Sequence, residues 1–182
     1  MHFKQIHTLP ILETERLILR PFQIDDVPAW HLMQQDPEIT RYTGDGGVVS
    51  EQEMENRIRE HVLGDYKKHG FGRWILVHKE DNCIIGFTGL KYIPDMDVVD
   101  LGYRFARKYW GQGIATEASI AALDFGFNEL ELEKIVAYII PENIGSQKVL
   151  EKLGFTYVRE FYEEDELEHE YALTAIEYKS QK

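Results

Sequence analysis

A glycine-rich turn in front of a predicted helix is the segment of this chain best suited to bind a ligand. Residues 109–117 have the sequence YWGQGIATE and follow an alternating, strand-like run at 99–105. Gly111 and Gly113 let the backbone approach a ligand closely, and the first N–H groups of a helix have no partner within it. The helix is predicted from one apolar face, formed by Ile114, Ala118, Ala121, Ala122 and Phe125.

The chemistry of such a turn favours an anion. The helix dipole adds partial positive charge to the exposed N–H groups, so a phosphate or diphosphate is the expected ligand. Each charge-assisted bond to it would contribute about 1.5–3 kcal/mol. The alternative is that the two glycines only turn the chain.

The composition restricts the class of protein. With 182 residues, 43% of them hydrophobic, the chain is long enough for one buried core and short for two. Its net charge of −12 argues against direct nucleic-acid binding and favours cationic partners such as amines, although the charge also serves solubility. The only cysteine, Cys83, lies in an apolar run, which excludes an intramolecular disulfide and predicts a buried thiol in a reducing compartment.

Membrane and metal partners are not expected. No apolar run approaches the length of a membrane span, and the first residues lack a signal-peptide core, so we expect a cytoplasmic protein. The seven histidines show no ligand-like spacing with one another or with Cys83, so no metal cofactor is predicted.

The remaining sequence predicts the elements that position the turn. Strands are expected at 17–22, 74–77, 83–87, 98–105, 135–139, 155–160 and 170–176. Short polar links imply antiparallel neighbours among 74–77, 83–87 and 98–105, whereas 135–139 is expected to lie parallel to 98–105. Helices are expected after Asp25, after Ser50, which forms a capping-box pattern with Glu53, and between Asn143 and Gly154. Residues 43–47 are expected to form a loop.

These elements predict a mixed α/β fold, with one largely antiparallel sheet and helices on both faces. No repeat or linker divides the chain, so a single domain is expected over residues 12–176, with short extensions at 1–11 and 177–182. A monomer or a homodimer is expected.

Three ordered motifs resemble the GNAT superfamily of acyl-CoA-dependent N-acetyltransferases. They are LETERLILR at 12–20, DLGY running into WGQGIATEA at 100–118, and NIGS with EKLGF at 143–155. Within the superfamily they most resemble the Rim-type (RimJ/RimL-like) branch, which acetylates the N-termini of ribosomal proteins. The resemblance spans roughly residues 12–176 and implies the acyl-CoA N-acyltransferase fold.

The resemblance also implies how acetyl-CoA binds. Its diphosphate would lie on the backbone amides around Gln112, Gly113, Ile114, Ala115 and Thr116. Its pantetheine arm would lie in a gap between the strand that ends at Phe105 and the strand at 135–139. Gly102, in mid-strand, is expected to mark a bulge that opens this gap. Two further cofactor-binding residues are predicted, Asn143 and Lys148; the lysine is a candidate for the 3′-phosphate or, alternatively, an ordinary solvated side chain.

Two positions depart from the superfamily pattern. Trp110 stands where most members carry Gln or Arg. Leu150 stands where many members carry the tyrosine that protonates the departing thiolate, and leucine has no proton to donate. The branch's usual candidate for that role is Ser146, so Ser146 is predicted to be catalytic; the alternative is a serine that bonds only to nearby backbone.

Asp100 is the second predicted catalytic residue, a base that acts through water. It shares a strand face with Gly102 and Arg104, and the alternative is that it only pairs with Arg104. At pH 7 an α-amine with a pKa near 7.8 needs about 1 kcal/mol to lose its proton, whereas a lysine amine near 10.4 needs about 4.6 kcal/mol. A weak base therefore suffices for an α-amine, and a protein N-terminus is the favoured acceptor.

Other functions remain open at this stage. The chain is alternatively a non-catalytic acyl-CoA-binding sensor, or an acetyltransferase that acts on a polyamine, an antibiotic or a small metabolite. An acidic hairpin near the C-terminus either recruits a cationic acceptor or is a solvated turn. Its acidic residues are Glu160, Glu163, Glu164, Asp165, Glu166, Glu168 and Glu170.

Overall fold

A computed structural model describes residues 3–42, 47–163 and 165–181. The strands in these ranges are β1 (Leu12–Glu13), β2 (Leu17–Pro21), β3 (Arg73–His78), β4 (Cys83–Ile93), β5 (Val98–Phe105), β6 (Lys134–Ile139), β7 (Thr156–Glu163) and β8 (Glu166–Thr174). The α-helices are α1 (Val27–Gln34), α2 (Pro37–Thr40), α3 (Glu51–Arg57), α4 (Leu63–His69), α5 (Ile114–Asp124), α6 (Ile144–Lys152) and α7 (Ala175–Ser180). Two π-helical turns, Ile58–Val62 and Phe125–Glu129, follow α3 and α5 directly.

These strands form one sheet with the order β1-β2-β3-β4-β5-β6-β8-β7. Every neighbouring pair is antiparallel except β5 and β6, which are parallel. Helices α5, α6 and α7 pack on one face through the larger apolar core, while α1 and α3 cover part of the other through a smaller one. The predicted mixed fold, with helices on both faces, is confirmed.

The connection from β5 through α5 to β6 is the parallel crossover unit that the sequence predicts. Its ladder consists of the single pair Asp100–Val136, whereas β4 and β5 pair continuously from Gly86–Phe105 to Ile93–Val98. Beyond Asp100, therefore, the edge of β5 that faces β6 has backbone groups without a partner strand in the described sheet. This separation is the gap between the two strands.

The gap has a different origin from the bulge expected at Gly102. The β4–β5 ladder has no register shift there, and Gly102 lies opposite Gly89. A Cβ atom on Gly102 would lie 2.7 Å from a guanidinium nitrogen of Arg73. Gly102 is therefore glycine because the Arg73 side chain crosses the sheet above it.

Three strand predictions had the wrong bounds: β7 extends to Glu163 rather than Glu160, and β4 and β8 also differ. β4 extends to Ile93, although Gly89 interrupts its apolar pattern; the φ of Gly89 is +145°, and a Cβ there would lie 2.6 Å from the Arg73 Cα. β8 ends at Thr174, short of the expected Ile176. Thr174 and Glu177 form a capping box that starts α7, and a capped helix start overrides the strand-like pattern.

Smaller expectations also need correction. Ser50 accepts a hydrogen bond from the Glu53 N–H, but the reciprocal bond of a capping box is not formed. Cys83 is exposed, because it is the first residue of β4 and follows a surface turn. Residues 43–46 of the expected loop lie outside the described ranges. Within those ranges no helix is long and apolar enough to cross a membrane.

Candidate active site

A cleft of about 510 Å³ lies at the point where β5, α5 and α6 meet. Helix α2 closes its far side through Glu38 and Ile39. Eight of the ten predicted site residues line it: Phe105, Gly113, Ile114, Ala115, Thr116, Asn143, Ser146 and Lys148. Asp100 and Gln112 are outside this lining.

The glycine-rich turn enters the cleft with a fixed backbone conformation. Trp110 anchors its start, because the indole N–H donates to the Phe105 carbonyl at 2.8 Å. Gly111 and Gly113 then have φ values of +73° and +77°, which cost about 1–2 kcal/mol for other L-residues. A Cβ would meet nothing within 4 Å at Gly111, so conformation rather than space requires glycine there.

Helix α5 begins without a side-chain cap. The first hydrogen bond of the helix runs from the Glu117 N–H to the Gly113 carbonyl at 3.0 Å. The N–H groups of Ile114, Ala115 and Thr116 precede that bond and have no acceptor within the helix. Three backbone donors at the positive end of the helix dipole therefore border the cleft, which suits an anionic group.

Gln112 lies on the outer side of the turn. Its side chain donates to the Lys108 carbonyl at 2.7 Å, and its own carbonyl accepts from the Arg16 guanidinium at 2.9 Å. These bonds hold the turn from outside the cleft, so the Gln112 side chain is turned away from the predicted diphosphate.

Helix α6 forms the opposite wall and is capped. The Asn143 side chain accepts from the Ser146 N–H at 3.0 Å, as predicted for a helix cap. Ser146 itself is half-buried on the cleft wall, and Lys148 is exposed at the rim. Leu150 is completely buried in the larger core.

Asp100 lies on the other face of the sheet, since side chains alternate along β5. It is 8% exposed and pairs with Arg73 at 3.4 Å, rather than with Arg104, which donates to Gln34 at 2.6 Å. Burial raises the pKa of Asp100, and the charges of Arg73 and Lys91 oppose that rise.

Strands β6 and β8 carry further acidic and phenolic side chains on the same face of the sheet as Asp100. Burial, followed by the charges of Glu163 and Asp100, raises the pKa of Glu168. Burial, together with the charges of Glu170 and Asp100, raises the pKa of Tyr138 to about 12. The β8 strand of the acidic hairpin is thus partly buried, in contrast with a wholly solvated turn. Among the described residues, no group of three or more His, Cys, Asp or Glu side chains is arranged to hold a metal.

Comparison with known proteins agrees with this geometry. A family model described as "Acetyltransferase (GNAT) domain" matches residues 16–156. The uncharacterized N-acetyltransferase p20 of Bacillus licheniformis is 32% identical over 146 residues, which are 79% of this chain and 81% of p20. The crystal structure of a GNAT-family acetyltransferase from Bacillus anthracis has a TM-score of 0.78 at 28% identity, covering 92% of this chain and 100% of that one. This chain belongs to the GNAT acetyltransferase family.

The same fold occurs in RimL, solved as a ribosomal L7/L12 α-N-protein acetyltransferase in complex with coenzyme A. Its TM-score is 0.77 at 18% identity, and the match covers 91% of this chain and 98% of RimL. The structural neighbours of this GNAT acetyltransferase therefore include the Rim-type enzymes that its sequence resembles.

Sequence reasoning overlooked one candidate residue of this GNAT acetyltransferase, Tyr103. Its hydroxyl lies in the cleft and donates to the Ser146 carbonyl at 3.2 Å. Burial raises the pKa of the phenol. The signal was available in the sequence, because strand alternation places Tyr103 on the same face as Leu101 and Phe105, toward the helices.

Proposed function

We propose that this GNAT acetyltransferase transfers the acetyl group of acetyl-CoA to the α-amine of a protein N-terminus. The observation that carries the proposal is the gap between β5 and β6, since β5 lines the cleft with Tyr103 and Phe105 and carries Asp100 on the opposite face of the sheet. A thioester in the cleft and an amine from the acidic face would meet in this gap.

The cleft residues suit coenzyme A. In the proposed complex the uncapped N–H groups of Ile114, Ala115 and Thr116 bind the diphosphate. The unpaired edge of β5 pairs with the amide-bearing pantetheine arm and ends near Phe105. Lys148, exposed at the rim, is placed to contact the 3′-phosphate.

In the proposed reaction the neutral amine attacks the thioester carbonyl directly. Backbone N–H groups at the strand edge stabilise the oxyanion that develops. The C–S bond then breaks, and the Ser146 hydroxyl protonates the departing thiolate and regains its own proton from solvent. Asp100, whose pKa burial raises, accepts the proton of the amine through water and then releases it to solvent.

The acceptor class follows from the acidic face. Asp100 and Glu168 attract a protonated amine, while an α-amine needs only about 1 kcal/mol to lose its proton at pH 7. The likeness to RimL, which is named as an α-N-protein acetyltransferase, supports the same class.

The test is a matched set of peptides with acetyl-CoA as donor. One peptide has a free N-terminus and acetylated lysines, and its pair has an acetylated N-terminus and free lysines; spermidine and an aminoglycoside complete the set. We expect thiol release and a mass gain of one acetyl group with the free N-terminus alone. Transfer only to spermidine or the aminoglycoside would overturn the acceptor assignment. Binding of CoA without transfer to any amine would identify a sensor instead.

Ionic strength gives a second test of the acceptor side. Neutralising Glu163 and Asp165, together with Glu164, which lies outside the described residues, should raise the KM for a cationic peptide, and more so at low salt. A KM that stays unchanged at every ionic strength would show that the hairpin does not recruit the acceptor.

A further inference from the structure

The glycine-rich turn is held by a side chain that is distant in sequence. Arg16, in the short connection between β1 and β2, donates from Nη1 to the Gln112 carbonyl at 2.9 Å. Its Nε donates to the Glu117 carboxylate at 2.6 Å. A Cβ atom on Gly113 would lie 3.7 Å from the remaining guanidinium nitrogen, so the charged group lies beside the start of α5.

The Glu117 carboxylate accepts further hydrogen bonds besides this ion pair. One carboxylate oxygen accepts from the Thr14 hydroxyl at 2.5 Å and from the Arg16 backbone N–H at 2.9 Å, and the other accepts from the Arg16 side chain. Burial acts to raise the pKa of Glu117, but these hydrogen bonds outweigh it and hold the pKa below its usual value. The first turn of α5 therefore carries an ionised carboxylate.

The connection that carries Thr14 and Arg16 is itself fixed to the sheet. The Leu17 N–H donates to the Thr14 hydroxyl oxygen at 3.1 Å, and the Lys79 N–H donates to the Arg16 carbonyl at 2.9 Å. The Lys79 ammonium group donates to the Thr14 carbonyl at 2.7 Å. The Arg16 side chain thus projects from a well-supported backbone toward the turn.

We propose that Arg16 is a positioning residue for diphosphate binding, because it neutralises Glu117 and holds the Gln112 carbonyl on the side of the turn away from the cleft. This inference rests on the proposed function, in which α5 binds the diphosphate of acetyl-CoA. An unpaired Glu117 carboxylate within the first turn of α5 would repel that diphosphate, although it would suit the helix dipole alone. Without Arg16, the Gln112 carbonyl would be free to rotate. Its oxygen, an acceptor, could then face the diphosphate where the turn needs an N–H donor.

The experiment compares ligands that differ in their phosphates. Calorimetry with CoA and dephospho-CoA, which lacks only the 3′-phosphate, is combined with kcat/KM for acetylpantetheine, which has no diphosphate. We expect Arg16→Gln to raise the Kd values for CoA and dephospho-CoA by the same factor, roughly tenfold. The kcat with saturating acetyl-CoA and the kcat/KM with acetylpantetheine should stay within about twofold of wild type.

A second variant tests the electrostatic part of the inference. If Arg16 acts by neutralising Glu117, adding Glu117→Gln to Arg16→Gln should restore part of the lost CoA affinity. A merely structural role predicts a further loss instead. Arg59→Gln is the matched control, since Arg59 forms an exposed ion pair with Glu55 at 2.7 Å on another helical segment.

The outcomes separate the inference from the proposed function. Equal losses with all three ligands, an unchanged affinity for CoA, a loss confined to CoA with none for dephospho-CoA, or no recovery in the double variant would each overturn the role of Arg16. A wild-type protein that binds CoA and transfers acetyl groups would keep the proposed function intact in those cases. A wild-type protein that does not bind CoA would overturn both.

Discussion

The two helices that border the cleft begin in opposite ways. Helix α5 starts at Gly113, which has no side chain and leaves three N–H groups open. Helix α6 starts at Asn143, whose side chain accepts from the Ser146 N–H, while the Ile144 N–H donates to the Glu142 carbonyl at 2.9 Å. The two starts face the same cleft, but only the first has several donors to offer.

This difference suggests a division of roles within the proposed site. An uncapped helix start has donors for an anion, whereas a capped start is rigid and holds its own side chains in place. We therefore expect changes at α5 to affect binding of the co-substrate and changes at α6 to affect chemistry or stability.

The largest expected effect is on turnover, from Ser146→Ala. The cap uses the Ser146 backbone N–H, so the substitution leaves the start of α6 intact and removes only the hydroxyl. If Ser146 protonates the thiolate, kcat should fall roughly 100-fold while the Kd for CoA stays within twofold. Ser180→Ala, at an exposed position of α7, is the control. An unchanged kcat would exclude Ser146 as the donor, and Tyr103→Phe would then test another hydroxyl of the cleft.

The next effect concerns binding, from Ala115→Pro. Proline removes the N–H of the second helical residue, which has no partner inside α5, and α1 already begins with Val27 followed by Pro28. Because one charge-assisted donor is lost, the Kd for CoA should rise roughly tenfold, as measured by calorimetry. The kcat at saturating acetyl-CoA should change little. Ala115→Ser keeps the N–H and should bind CoA like wild type. Equal affinities of the proline and serine variants would show that this amide does not contact the diphosphate.

A smaller effect is expected on stability, from Asn143→Ala. Removing a side-chain cap typically costs about 1 kcal/mol, because the Ser146 N–H loses its acceptor. Urea unfolding should show a lower midpoint with an unchanged slope. Gly113→Ala, at the uncapped start of α5, removes no cap and tests instead the strain of a positive φ. A midpoint equal to wild type for Asn143→Ala would mean that water replaces the cap at no cost.

The features that the sequence predicted are those with local signals. The order of β5, the glycine-rich turn, α5 and β6 follows from periodicity and from two glycines that both have positive φ. The Asn143 cap lies three residues from the N–H that it accepts. Such signals lie within one or two helical turns of the feature they specify.

The features that the sequence did not predict depend on contacts between distant residues. The Arg16 N–H and the Glu117 carboxylate are separated by 101 positions, and their pairing depends on how the β1–β2 connection packs on α5. The residues near Gly102 in sequence do not indicate that the Arg73 side chain passes above it. From the sequence alone, a glycine in mid-strand therefore predicts a bulge. Asp100 and Ser146 remain predicted catalytic residues, on different sides of the β5–β6 gap.

The smallest expected effect is a pH-dependent one at the start of α5, and it tests whether the carboxylate there is stabilised by its partners. The pKa of Glu117 in the folded protein is below its usual value of 4.5, so its hydrogen bonds contribute stability above pH 4.5, and that contribution disappears as the pH falls through the folded pKa. Wild type should therefore be more stable than Glu117→Gln at pH 7, by less than about 1 kcal/mol, and the difference should shrink as the pH falls below 4.5. Urea unfolding of both proteins across this range measures it, with Glu129→Gln at an exposed position of the following π-helical turn as the control. A difference that is constant with pH would mean that the carboxamide replaces the carboxylate in every contact, and that charge has no part in joining Glu117 to Thr14 and Arg16.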